Sequence, residues 1–146
     1  MMNFNFRLER VLNYKETVED YKKGEYGAAQ KKLNDEENKL NHFNQYKNNL
    51  KDEKNTSAAK TKAGNLAMYN NYINDVTKKI IKQEEMVTRT KKELEDAKEE
   101  MITAVQEKKS FEKLKENEYR EHLYQLKKFE EKQTDTIVSY KTSTQQ

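Results

Sequence analysis

The sequence predicts an all-α protein: two long helices forming an antiparallel coiled-coil hairpin. Three observations carry this. Hydrophobic residues make up 33% of the 146 and charged residues 38%, whereas a compact globule uses roughly 45–50% apolar and about 25% charged residues. Proline is absent and glycine occurs three times, which argues against a fold rich in tight turns. The apolar residues that remain recur at alternating three- and four-residue steps, a phase that a disordered chain has no reason to hold.

The first helix is expected over about residues 5–50. Leu8, Val11, Leu12, Val18, Tyr21, Tyr26, Ala29, Leu33, Leu40, Phe43, Tyr46 and Leu50 form its stripe, with gaps at Lys15, Lys22 and Glu36. Asn3 or Asn5 can cap its start. Gly24 to Gly27 is its weak zone, where the phase slips and each glycine costs about 1 kcal/mol against alanine.

A bend is expected at 51–64, reading KDEKNTSAAKTKAG. It has no aliphatic side chain larger than alanine, and Gly64 can end a turn. A hairpin is the direct way for the two flanking helices to bury their stripes.

The second helix is expected over about 65–133. The steps from Leu66 fall on Tyr69, Ile73, Val76, Ile80, Gln83, Val87, Thr90, Leu94, Ala97, Met101, Ala104, Lys108 and Phe111; eleven of the fourteen are apolar. A heptad seam of that length implies a left-handed supercoil. After Phe111 the apolar phase slips by about one residue and resumes as Leu114, Tyr119, Leu123, Leu126 and Phe129, reaching toward Ile137 and Tyr140. Glu85–Arg89 and Glu116–Arg120 are i,i+4 pairs in the favourable order, each worth about 0.3–0.5 kcal/mol. Residues 134–146 are expected to fray, and 1–146 reads as one coiled-coil domain.

Several function classes lose support. Without cysteine there is no disulfide framework, thiolate metal site or thiol nucleophile. Gly24-Glu25-Tyr26-Gly27 lacks the lysine and serine of a phosphate loop. His42 and His122 are the only histidines and fit no metal-ligand spacing. Adjacent glutamates such as Glu84-Glu85 and Glu130-Glu131 read as solvated helix faces, because a catalytic carboxylate pair needs a cleft. No catalytic, metal-binding or cofactor-binding residue is expected. The formal net charge is +3, and Glu107–Lys132 carries eight Lys/Arg against seven Glu, so there is no basic stripe for nucleic acid. The N-terminus has no apolar signal core, and no apolar run approaches the ~20 residues of a membrane span. A soluble cytoplasmic protein is expected.

The aromatics point to partners. Phe43 and Tyr46 stand with Tyr69 and Tyr72 around the bend; Phe4, Phe6 and Tyr14 stand with Phe129 and Tyr140 toward the other end. Tyr72 falls one step off the seam, and exposed aromatics beside leucines are common interface anchors.

The run from Lys108 to Asn117, then Tyr119 and Phe129 to Asp135, resembles the bacterial flagellar export protein family FliJ. So do Phe4-x-Phe6-x-Leu8-x-x-Val11-Leu12 and Tyr69-x-x-Tyr72-Ile73-x-x-Val76-x-x-x-Ile80. Phe129 and Thr136 depart from the family pattern, which commonly has arginine and glutamate there. The resemblance implies a non-catalytic stalk of the flagellar type III export apparatus, similar to the central shaft of rotary ATPases. It implies binding to the hexameric export ATPase FliI, to the cytoplasmic domain of the export gate FlhA, and to export chaperones. It implies a cytoplasmic location, peripheral to the cell membrane through those partners, and a place in flagellar biogenesis and hence chemotaxis. On this resemblance the gate would meet Phe43, Tyr46, Leu50, Tyr72 and Val76. The ATPase would meet Phe6, Leu8, Val11 and Phe129. A generic coiled-coil scaffold and a prefoldin-like chaperone subunit are the alternatives; the latter needs β-hairpin segments that 51–64 does not offer.

Overall fold

A computed structural model describes residues 3–57 and 63–144. Two helices account for nearly all of them: α1, Glu9–Ser57, and α2, Ala63–Thr144. They pair as a helical hairpin. The contacts divide the chain into two compact units, Tyr21–Ile102 and Met1–Asp20 with Thr103–Gln146.

In the Tyr21–Ile102 unit the cross-helix partners fix the direction. Lys54 donates to Asn70, Gln83 to Glu36, Lys32 to Glu93 and Lys22 to Glu100. As the α1 number falls the α2 number rises, so the segments run antiparallel. Leu50, Val76 and Ile80 form the buried centre, with Leu40, Phe43, Tyr69 and Ile73 packed against it. Val87 and Thr90 extend the buried row; Thr90 is 1% exposed. Its hydroxyl bonds back to the carbonyls of Met86 and Val87, which satisfies a polar group that would otherwise be costly to bury.

The second unit is antiparallel by the same test: Glu19 pairs with Lys108 and Glu9 with Lys115. Phe6, Leu12 and Ala104 are its buried apolar side chains, and Glu19 is buried at 5% exposure.

All fourteen positions of the expected α2 seam, Leu66 through Phe111, are buried or half-buried. On α1 the inward row is Leu8, Leu12, Lys15, Glu19, Lys22, Tyr26, Ala29, Leu33, Glu36, Leu40, Phe43, Lys47 and Leu50. That row steps by four and three throughout, so the expected slip at Gly24–Gly27 does not occur. Tyr21 and Tyr46, assigned to the α1 stripe from sequence, instead face outward at 64% and 51% exposure.

The element boundaries also move. Helix α1 starts at Glu9, not near residue 5, and neither Asn3 nor Asn5 caps it. The chain enters through a turn in which the Glu9 amide donates to the Phe6 carbonyl at 3.1 Å. Residues two apart on a helix point away from one another. A non-helical entry lets Phe6 be buried while Phe4 sets its ring edge-on to Tyr119 at 5.2 Å. At the other end α1 continues through Lys51–Ser57, and Gly64 lies inside α2. The rest of the expected bend, 58–62, lies outside the described residues. The expected frayed tail is helical to Thr144. No proline or glycine interrupts it, and Thr134, Thr136 and Thr142 each return a hydroxyl to the carbonyl four residues back. Lys141 in the last turn faces the negative helix end favourably.

Candidate protein-interaction surfaces

The residues expected at the gate-facing surface separate into two groups. Leu50 and Val76 are 6% and 3% exposed and hold the core of the Tyr21–Ile102 unit. Both serve packing in this fold: Val76 is an α2 seam position, and Leu50 meets it from the inward row of α1. Phe43 is half-buried against the same cluster. Tyr46 and Tyr72 are exposed, at 51% and 46%. Only these two present most of a ring without opening the seam. Sequence inspection missed Met68, 44% exposed. It stands one helical turn before Tyr72, and the i,i+4 spacing that places it there was readable. A shallow recess of about 390 Å³ lies beside this region, lined by Lys51, Lys54, Asn55, Asn70, Ile73 and Asn74. Its amide and ammonium lining suits polar contacts around an aromatic anchor.

The residues expected to face the ATPase separate similarly. Phe6 is buried at 4% exposure and packs in its unit. Leu8, in the turn before α1, and Val11, in its first turn, are half-buried. Phe129 is 51% exposed and borders an open groove with Lys132, Gln133, Thr136 and Ile137. Phe4 packs its ring 5.2 Å from Tyr119 and 5.5 Å from His122. This contact explains His122 as a packing residue.

Charge on these surfaces is organised in pairs. The cross-helix partners Glu100 and Glu19 hold the Lys22 and Lys108 ammonium groups above the ordinary lysine value of 10.5, chiefly through hydrogen bonds. A hydrogen bond to Glu25 likewise raises the Tyr21 hydroxyl above 10.0. Among the described residues no group of three or more His, Cys, Asp or Glu side chains converges as a metal site. No helix there is long and apolar enough to cross a membrane.

Beyond Phe111 the geometry and the apolar pattern part company. The α2 positions turned inward are Lys115, Glu118, His122 and Leu126. Leu114, Tyr119, Leu123 and Phe129 are exposed at 39%, 46%, 46% and 51%. The slip read from sequence is therefore a feature of where the apolar residues lie. The helix keeps its seam, and the slipped residues face outward.

The family described as "Flagellar FliJ protein" matches residues 4–146. No curated protein matches. Among solved structures, one described as that of a YscO homologue, CT670 from Chlamydia trachomatis, superposes with a TM-score of 0.63 at 23% identity. It covers 92% of this chain and 93% of its own. At that identity the likeness concerns the fold: two long helices in the same order.

Proposed function

This chain belongs to the family of flagellar FliJ proteins, and from that premise we propose that it is a non-catalytic coupling stalk between the export ATPase and the export gate. Family membership makes it a component of flagellar type III protein export; the partners and the faces they use are our reading. The observation that carries it is the division of the gate candidates into a buried set and an exposed set. Leu50 and Val76 make the Tyr21–Ile102 unit firm, while Tyr72, Tyr46 and Met68 stand outside it. A rigid support with projecting aromatics is what an interface hot spot requires, because little order is lost on binding. Phe43, half-buried between these sets, would contribute its edge.

The FlhA cytoplasmic domain is the proposed partner of that face. The FliI ring would meet the unit that contains the chain start, at Leu8, Val11 and Phe129. Export chaperones are further candidates. In this reading the protein works in the cytoplasm and reaches the membrane only through its partners. Hydrolysis would belong to the ATPase, with an asymmetric helical pair biasing which ring subunit acts.

Calorimetric titration tests the gate assignment. Tyr72→Ala is expected to weaken binding to the FlhA cytoplasmic domain by tenfold or more, about 1.4 kcal/mol, with the melting midpoint almost unchanged. Tyr69→Ala is expected to lower stability instead, since Tyr69 packs against the core cluster. Unchanged affinity for a folded Tyr72→Ala protein would remove this face from the proposal.

A further inference from the structure

Between Tyr119 and Tyr140, α2 carries a second apolar stripe that the fold leaves largely uncovered. Tyr119, Leu123, Leu126, Gln133, Ile137 and Tyr140 follow one another at steps of four, three, seven, four and three; Leu126 is half-buried and shared with the inward row, and the other five are exposed. Tyr119 and Leu123 are turned one residue, roughly 100°, away from inward Glu118 and His122, and from Lys127 to Thr144 every side chain of α2 is exposed. Tyr119, Leu123, Ile137 and Tyr140 are 46%, 46%, 56% and 69% exposed. The inward row, which ends at Leu126, holds Lys115, Glu118 and His122 before it. Around Glu118 to Leu123, a sequence shaped only by pairing with α1 would have these assignments the other way round. The apolar side chains sit where a different helix could cover them, and the seam has polar residues in their place.

The border of the stripe says what kind of helix. Lys113, Arg120, Lys127 and Lys141 lie at heptad spacing, with Thr134 at the one intervening step, and all four basic side chains are exposed. They form a basic edge along one side of the apolar row. Arg120 contacts Glu116 in a surface pair, the two side chains 72% and 57% exposed; such pairs are worth little and exchange partners readily. Anionic lipid is a poorer match. Residues 113–144 carry seven Lys/Arg against six Asp/Glu, and Glu116 and Glu130 lie at steps of the stripe itself, where they would be pressed against a negative headgroup layer. In a protein helix, a single basic residue could answer Glu130.

We propose that the Tyr119–Tyr140 face of α2 is a docking surface for an amphipathic helix of another protein whose apolar row is flanked by acidic residues. The stripe spans 22 positions, about 33 Å of helix, so a partner segment of some six turns would cover it. Apolar burial would supply affinity, and the basic edge would set direction and speed encounter. This face is distinct from the Tyr46–Tyr72 surface, and the inference does not rest on the ATPase or gate assignments.

Two designed helical peptides test it on the full-length protein. Both carry leucine at alternating three and four steps; one has glutamate along one border, the other lysine at the same places. Fluorescence anisotropy is expected to show the acidic peptide binding at least tenfold tighter, with the advantage shrinking as salt rises. Leu123→Ser is expected to weaken it tenfold or more, and the pair Arg120→Glu with Lys127→Glu to reverse the preference between the peptides. Ile81→Ser, on an exposed side chain of the other unit, should leave binding unchanged; helicity by circular dichroism confirms that each variant is folded. Equal binding of the two peptides would overturn the proposal. So would Leu123-dependent binding to phosphatidylglycerol vesicles in place of the peptide, or a Leu123-dependent dimer in sedimentation that closes the face.

Discussion

Ile80 and Ile81 are the same residue on adjacent steps of one helix, with opposite surroundings. Ile80 is 6% exposed in the cluster with Leu50 and Val76; Ile81 is 53% exposed. Truncating a buried isoleucine to alanine costs about 2–5 kcal/mol, through lost transfer free energy and the cavity left behind. A seam only two helices deep can collapse around the gap and admit water from its sides, which places Ile80→Ala near 2 kcal/mol on that scale. For Ile81→Ala the lost contact is small, and alanine is the better helix former by a few tenths of a kcal/mol. That variant should fall within about ±0.5 kcal/mol of wild type. Urea unfolding followed at 222 nm measures the global difference. Amide hydrogen exchange across Tyr21–Ile102 assigns it to the unit that contains the cluster. The assigned register fails if the two variants lose equal stability, or if Ile81→Ala loses more.

Two further outcomes follow from residues away from that cluster. A Cβ added at Gly24 or Gly27 would meet nothing within 4 Å, so each Gly→Ala change should raise stability by up to about 1 kcal/mol, read as a higher melting midpoint; a lower one would refute the continuous exposed helix there. Lys22, Lys108 and Tyr21 hold their protons more tightly when folded, so the unfolded chain releases them first as pH rises. Their contribution is complete below about pH 10 and is lost as pH climbs through the raised values. Melting midpoints should therefore fall on the alkaline side, and Lys22→Met should flatten that slope.

The hairpin was legible because periodicity in a long helix is an averaged signal. Fourteen α2 positions vote on one register, and polar members such as Gln83, Thr90 and Lys108 cannot outvote the rest. The α1 stripe was harder for the same reason. Its gaps at Lys15, Lys22 and Glu36 looked like interruptions, whereas each is an inward position whose side chain reaches across to Glu107, Glu100 or Gln83. A polar residue at a seam position is invisible to an apolar count. Tyr21 was drawn into the stripe by its apolar ring although it stands one step before inward Lys22. The helix ends were illegible for another reason. Nothing local stops either helix near the bend, and tertiary contact by Phe4 and Phe6, rather than an asparagine cap, sets where α1 begins. Of the candidate surface residues, composition could identify aromatic anchors but not which were turned inward. Leu50, Val76 and Phe6 share the apolar character of a contact residue and the burial of a core residue.

The disagreement between seam and stripe after Phe111 has a physical consequence for how the two units differ. Where the apolar row and the inward row coincide, as from Tyr69 to Val87, burial alone can fix the pairing. In the unit that contains Thr103–Gln146 the inward row includes Lys108, Lys115, Glu118 and His122, so apolar burial there specifies the pairing less strongly. The register is instead pinned by directional partners: Lys108 with Glu19 at 3.2 Å, and Lys115 with Glu9 at 2.9 Å. Such pairs add little net stability, but a shifted register would strand Glu19, whose side chain is 7% exposed, as a buried unpaired charge at a cost of several kcal/mol; the more exposed Lys115–Glu9 pair adds direction at smaller cost. They select one alignment without demanding a large apolar contact. The leucines and aromatics of that segment are thereby released to the outer face, which is where Tyr119, Leu123, Ile137 and Tyr140 are found.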